Sequence, residues 1–143
     1  MAYSSAAPVV SRRLPRRVSG IPLHFSAACL IGALVTDIAY WQTAEMTWAN
    51  FSAWLLAAGV LLAVLSALAL LIDLLRGAIR VSSVMLWIYL ACLLVAFILS
   101  VVNSFIHSRD AWTSVVPTGL VMSVLTVAAI AVAAFARTGM RRF

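Results

Sequence analysis

One group of polar residues in this sequence combines a carboxylate, an amide, a histidine and an arginine within or beside long apolar runs. Its members are Asp37, Asn103, His107, Arg109 and Asp110. Asn103 and His107 are four positions apart, which places them on one face of a helix. A carboxylate facing a histidine and an arginine can close a network of charge-assisted hydrogen bonds. The pattern predicts an interhelical polar network, or a partner or ligand site, near one membrane surface.

A second polar group is predicted at the opposite surface. His24 lies at the start of the first apolar run, and Asp73 lies at the end of the second. If the two runs are antiparallel helices, these side chains come to matching depths, so a His24–Asp73 contact is expected. Asp73 can also pair with Arg76, three positions along the same helix.

Other kinds of chemistry find little support in the sequence. It has no cysteine–histidine cluster with metal spacing, no glycine-rich phosphate loop and no nucleophile elbow, so neither a metal site nor an enzyme is predicted. Haem stays an alternative, since membrane bundles can hold it between two histidines. His24 and His107 are expected about 30 Å apart, across the hydrocarbon layer, so one iron cannot bind both. Only a pairing of His107 with Met122 is left.

The composition places these residues in a membrane protein. Of 143 residues, 65% are hydrophobic and 10% are charged, against about 25% charged in ordinary globular proteins. Four apolar runs cover about 21–41, 51–75, 81–106 and 115–136, each close to the roughly 20 residues that a spanning helix needs. The prediction is an all-α, integral membrane four-helix transmembrane bundle with up-down-up-down topology. A disordered basic arm (1–20) precedes the domain (21–136), and a basic tail (137–143) follows it.

The charge distribution predicts the orientation of the bundle. The net charge is +6, and all ten basic residues are arginines. Nine of them lie before the first run, between the second and third runs, or after the fourth: Arg12, Arg13, Arg16, Arg17, Arg76, Arg80, Arg137, Arg141 and Arg142. The positive-inside rule therefore predicts a cytoplasmic membrane protein with both termini in the cytoplasm. The expected partner is the lipid bilayer rather than nucleic acid.

Small residues at helical spacing mark candidate helix-packing positions, because helices in lipid associate through close backbone approach. These positions are Ala28 and Gly32 in the first run, Gly59, Ala63 and Ala67 in the second, and Pro117 and Gly119 at the start of the fourth. Such seams can serve an internal bundle or a homo-oligomer, and the internal bundle is favoured here.

Several of these residues also carry a family resemblance. The sequence resembles a family of small bacterial membrane proteins. The residues that carry the resemblance are Leu23-His24-Phe25, Asp37, Asp73, the stretch 103–110 (NSFIHSRD) and the stretch 113–119 (TSVVPTG). The family is catalogued as domain of unknown function number twenty-two thirty-one, and the resemblance covers about residues 20–135. It implies four membrane helices and no known activity. The site residues that it implies are His24, Asp37, Asp73, Asn103, His107, Arg109, Asp110, Pro117 and Gly119.

Three functions fit the sequence. The first is a non-catalytic accessory or anchoring subunit of a larger membrane complex, such as a redox or respiratory one, with other membrane subunits as partners. The second is an electron carrier that binds haem or quinone. The third is an oligomeric channel or transporter whose shared axis is lined by Asp37, Asn103 and His107.

Overall fold

The computed structural model describes residues 18–78, 84–109 and 115–139. These residues form four long helices: α1 (Gly20–Thr43), α2 (Met46–Leu75), α3 (Val84–His107) and α4 (Leu120–Gly139). A short π-helical segment, Val115–Gly119, leads into α4. The described ranges contain no strand. The all-α class is therefore confirmed. Most of the predicted basic arm (1–17) and the last residues of the tail (140–143) lie outside the described residues.

Four segments are long and apolar enough to cross a membrane: Gly20–Thr43, Met46–Leu75, Val84–His107 and Val115–Thr138. Many of their large apolar side chains point away from the protein, and Trp54, Leu75 and Phe135 are at least 77% exposed. In water such a surface would be unstable, whereas in hydrocarbon it costs nothing. The prediction of a multi-pass membrane protein is confirmed.

The first two helices meet at a turn that is tighter than the sequence indicated. Ala44 adopts a left-handed conformation with φ of 56°, and its N–H donates to the carbonyl of Tyr40 at 2.7 Å. This C-cap ends α1, and α2 begins at Met46. Residues 42–50, which separate the first two predicted runs, are therefore mostly helical. The polar residues among them indicated a loop, but a helix can continue through polar residues once it leaves the hydrocarbon.

The helices associate as two pairs. α1 packs mainly on α2, and α3 packs mainly on α4, while contacts between the pairs are fewer. Ser26 of α1 donates to the carbonyl of Gly59 at 2.7 Å, and Ser52 near the start of α2 contacts Asp37 near the end of α1. A small apolar core forms around Leu30, which packs with Ala33 and Leu56. The sparser packing between the pairs leaves room inside the bundle.

Two of the predicted glycines allow α1 and α2 to approach closely. A Cβ atom on Gly59 would lie 2.8 Å from Leu30 Cδ2, 2.9 Å from Leu30 Cγ and 3.4 Å from Cys29 Cβ. A Cβ atom on Gly32 would lie 3.2 Å from Leu55 Cδ1. Both glycines therefore lie where the two helices are in contact, and the space at Gly59 is the tighter of the two.

The remaining small residues lie in different surroundings. Gly119 is buried and Pro117 is exposed, beside Val115 at the start of the fourth span. Ala63 is half-buried, whereas Ala28 and Ala67 are exposed. Ala28 lies outside the α1–α2 contact because the buried stripe of α1 runs through positions 26, 30, 33 and 37. That stripe lies on the opposite side of the helix from position 28.

Candidate functional site

Asp37 is the centre of a buried hydrogen-bond network to which all four helices contribute. Its side chain is 0% exposed. Oδ1 accepts a hydrogen bond from Ser52 Oγ of α2 at 2.5 Å and lies 2.8 Å from His107 Nε2 of α3. Oδ2 accepts from Ser123 Oγ of α4 at 2.5 Å. Ser123 in turn accepts from Asn103 Nδ2 at 2.8 Å. We call these five residues the Asp37 network.

The hydrogen-bond partners of His107 determine how protons are arranged in the network. Nδ1 lies 3.1 Å from the backbone carbonyl of Asn103, which only accepts, so Nδ1 carries a hydrogen. Nε2 faces Asp37, at 2.8 Å from Oδ1, and it also lies 3.3 Å from Ser52 Oγ. The ring therefore joins α3 to both α1 and α2.

Asn103 belongs to this network through its bond to Ser123. Ser123 has a single hydroxyl hydrogen, which it donates to Asp37, so Asn103 must present its NH₂ group to Ser123. The Asn103 side chain is 0% exposed, and its Oδ1 is a buried polar atom without a hydrogen-bond partner among the described residues. Apart from His107, which is 8% exposed, the side chains of the network are at most 2% exposed. This burial favours the predicted interhelical network over a partner or ligand site.

The structure brings together three of the five residues predicted for this group, namely Asp37, Asn103 and His107. Arg109 is exposed and lies outside the network. Asp110 lies outside the described residues.

Two further members of the network, Ser52 and Ser123, were not among the predicted site residues. A sequence signal for Ser52 exists. Asp37 lies seven positions before Ala44, and Ser52 lies seven positions after Glu45. Equal distances from a tight helix–helix turn bring two side chains to the same depth. Ser123 offers only a weak signal, since a lone serine in an apolar helix most often binds its own backbone.

Asp73, from the second predicted group, caps the start of α1. Its Oδ2 accepts from the backbone N–H groups of Val18 and Ser19, both at 3.0 Å. A carboxylate at a helix N-terminus satisfies free N–H groups and opposes the positive end of the helix dipole. No bond between His24 and Asp73 occurs in the described residues, so that expected contact is wrong. His24 Nδ1 instead contacts the Gly20 carbonyl of its own helix.

The physical reason for this difference is competition for the carboxylate. Backbone N–H groups at the start of α1 have no partner within the helix, and they lie beside Asp73 when α1 and α2 pack. Arg76 follows Asp73 by three positions with its side chain exposed. We call the region where α1 starts and α2 ends the Asp73 end of the bundle.

A cleft of about 870 Å³ opens between the two helix pairs toward the Asp73 end. All four helices line it, and most lining residues are apolar: Leu23, Leu30, Ala63, Ala67, Leu71, Leu90, Leu93, Phe97, Ile130 and Ala133 are among them. Polar side chains are few. His24, Tyr89, Arg137 and Thr138 come from the helix ends. The cleft thus has an apolar interior and a polar rim.

His107, the histidine of the predicted pairing with Met122, is not arranged as an axial ligand of haem. Both ring nitrogens of His107 have protein partners, Asp37 and the Asn103 carbonyl. An iron would have to displace one of them. In the described part of the chain, no group of three or more histidine, cysteine, aspartate or glutamate side chains could hold a metal ion. Cys29 and Cys92 are both free.

The buried position of the network also bears on the predicted channel. A shared axis between protomers would need Asp37, Asn103 and His107 on the outer surface of the bundle. Asp37 and Asn103 are 0% exposed, and their hydrogen bonds are made within the chain. These residues therefore cannot line an axis between protomers in this conformation, and that part of the channel hypothesis is wrong.

Comparison with known proteins gives one finding. A family model described as "Predicted membrane protein (DUF2231)" matches residues 20–139. This range contains all four helices, the Asp37 network and the cleft. No curated protein and no solved structure matches the chain.

Proposed function

The chain belongs to this DUF2231 family of membrane proteins, as its residues indicated, and we propose that it binds a membrane-resident amphipathic molecule. The proposed site is the cleft between the α1–α2 and α3–α4 pairs. The observation that carries the proposal is the cleft itself, about 870 Å³ of open space in a bundle of only four helices.

The dimensions of the cleft support this function. Ligand sites in proteins measure about 300–1,000 Å³, with mostly apolar walls and a few polar groups that orient the ligand. Packed interiors, in contrast, leave few voids larger than a water molecule. In a bilayer, apolar walls of this kind are filled by a hydrocarbon chain or an isoprenoid tail rather than by water.

The distribution of polar groups supports an amphipathic ligand over a purely apolar one. The two serines in the wall are already bonded, Ser26 to the Gly59 carbonyl and Ser66 to the Ser19 carbonyl. Polar atoms that can meet a ligand therefore concentrate at the rim. A molecule with an apolar body and a polar head matches this arrangement, and a quinone or a lipid has that form.

Ligand binding of this kind extends the second function that the sequence allowed, a carrier that binds haem or quinone. It is also compatible with the first, an accessory subunit. An accessory subunit can also hold a lipid or quinone, so a role in a larger complex stays a prediction. Helix packing against other subunits would use the exposed apolar surface of the bundle, but such a surface also faces lipid in any membrane protein. An exposed apolar surface therefore does not by itself indicate a protein interface, whereas the cleft indicates a ligand site.

Filling the cleft tests the proposed function. Ala63 is half-buried in the cleft wall, so Ala63→Phe places a ring in the space that a ligand would occupy. We expect the full-length variant, purified in mild detergent, to lose at least about nine-tenths of the co-purified amphipathic molecules that native mass spectrometry detects on the wild type. A tenfold loss of affinity corresponds to about 1.4 kcal/mol.

Ala57→Phe is the matched control, because Ala57 lies on the same helix, is exposed and does not line the cleft. We expect this variant to retain its bound molecules. Equal retention by the two variants would contradict the proposal. A stoichiometric protein partner that Ala63→Phe displaces would assign the cleft to a helix of another subunit instead.

We propose further that the bundle is up-down-up-down, with both termini in the cytoplasm of a bacterial cell. The order of contacts between α1 and α2 supports the topology, since Ser19 contacts Asp73 and Asp37 contacts Ser52. Nine of ten arginines fall on one side in this arrangement. A cysteine placed at Glu45 should react with an impermeant maleimide added to intact spheroplasts. Labelling only after lysis would overturn the orientation.

A further inference from the structure

We infer that the cleft selects an anionic phospholipid, whose headgroup phosphate binds Arg137 at the rim. This inference rests on the proposed function, since it concerns the ligand of the same cleft. The supporting observation is that the described residues place a cation at the rim of the cleft but no carboxylate.

Arg137 is the cation at the rim. It lies in the last turn of α4, half-buried, and it lines the cleft. The dipole of α4 favours a cation at this position, but it supplies no ion-pair partner. In residues 18–78, 84–109 and 115–139, the only ion pair is that of His107 with Asp37. Among these residues, no carboxylate is paired with Arg137, which lies beside an apolar cavity.

The acidic residues of the chain are committed elsewhere. It has four, and three lie in the described ranges. Asp37 is buried in its network, and Asp73 is 0% exposed and bound to the start of α1. Glu45 lies in the turn between α1 and α2, away from the Asp73 end. Among the described residues, no acidic side chain lines the cleft, so the charge that they place at its rim attracts anions.

His24 is the histidine at the rim. It is exposed and lines the cleft, and its Nδ1 contacts the Gly20 carbonyl. A ring nitrogen that faces a carbonyl carries a hydrogen, so the Nδ1 hydrogen of His24 is already used and the headgroup contact falls to Arg137. Arginine pairs with phosphate through two parallel N–H···O bonds, which a neutral quinone head cannot accept in the same way. Basic pockets between membrane helices hold anionic lipid headgroups for this reason.

The bilayer is the source of the ligand in this proposal. The cleft lies between membrane helices and its walls are apolar, so a lipid can enter it sideways with its chains in the interior and its phosphate at the rim. A free phosphate ion would have no use for the apolar walls. The inference therefore names a phospholipid with net negative charge, such as phosphatidylglycerol.

The test compares two lipids with the same chains. Full-length protein in mild detergent is titrated with dioleoyl phosphatidylglycerol or dioleoyl phosphatidylcholine, and native mass spectrometry gives the dissociation constant of each. We expect phosphatidylglycerol to bind about fivefold more tightly, the ratio that about 1 kcal/mol per arginine produces. In Arg137→Gln the two constants should become equal within twofold.

Arg76→Gln is the matched control. Arg76 is exposed at the same end of the bundle and does not line the cleft, so this variant removes the same charge outside the site. We expect it to keep the fivefold preference. A wild type without preference, or a preference that survives Arg137→Gln, would overturn the inference.

Ala63→Phe separates failure of this inference from failure of the proposed function. If the cleft binds lipids without regard to charge, Ala63→Phe weakens the binding of both lipids and Arg137→Gln changes neither. If the cleft binds no lipid at all, Ala63→Phe leaves both dissociation constants unchanged. The second result overturns the proposed function and the inference together.

Discussion

Asp37→Ala is expected to lower the free energy of unfolding by about 3–5 kcal/mol, the usual loss when one partner of a buried ion pair is removed. The carboxylate accepts from Ser52 and Ser123 and lies 2.8 Å from His107 Nε2. Its removal takes this acceptor away from Ser123 and His107, and it leaves Ser52 only the Ala33 carbonyl at 3.3 Å. It also breaks the only side-chain network that joins four helices in the described residues. Unfolding in mixed micelles, followed by circular dichroism, measures the change.

Two comparisons make this prediction specific. Glu45→Ala removes an exposed carboxylate from the adjacent turn and should change stability by less than about 0.5 kcal/mol. The double variant Asp37→Leu, His107→Leu removes both members of the pair together. Replacing a whole buried pair by apolar side chains is often neutral, so this variant should recover most of the loss. A cost below about 1 kcal/mol for Asp37→Ala would show that the network contributes little to stability.

Gly59→Ala is expected to destabilise the protein by about 1–3 kcal/mol, the usual cost of an extra methyl group in a well-packed interior. The new Cβ would lie 2.9 Å from Leu30 Cγ, and Leu30 is only 4% exposed. Cγ is the branch point of the side chain and cannot move without displacing the rest of it. α1 and α2 would therefore have to separate, which would weaken the bond from Ser26 to the Gly59 carbonyl.

Gly32→Ala is the natural comparison for this variant, because Gly32 lies in the same pair of helices. Its new Cβ would meet Leu55 Cδ1 at 3.2 Å. That atom is the far end of a half-buried side chain, which can rotate away. We expect a change within about 1 kcal/mol, since alanine also favours the helix by about that amount. Equal costs at the two glycines would contradict the close approach at Gly59.

The two ends of the bundle differ in a way that bears on function. Near Ser52 and His107, the Asp37 network joins the four helices through buried hydrogen bonds. Toward the Asp73 end, a cleft opens between the helix pairs instead. The carboxylate of Asp73 stabilises the start of α1 beside this cleft. The bundle thus has one end closed by the Asp37 network and one open end, where we propose that a ligand binds.

The sequence alone determined the class of the protein. Lipid rewards every apolar side chain on a helix surface, so the length of each run was enough to locate the four spans. Helical periodicity was likewise enough to place Asn103 and His107 on one face, four positions apart. These features depend on local geometry, which the order of residues determines directly.

Only the tertiary structure decided which residues meet. The rotation of each helix about its axis places Ser123 against Asp37, and α3 ends before Arg109, which is exposed. The backbone N–H groups of Val18 and Ser19, rather than His24, bind the Asp73 carboxylate. No sequence pattern reveals such backbone donors. The cleft exists because the two helix pairs pack less closely with each other than within themselves. Rotation and spacing arise from the packing of all four helices together, so no single run of residues encodes them.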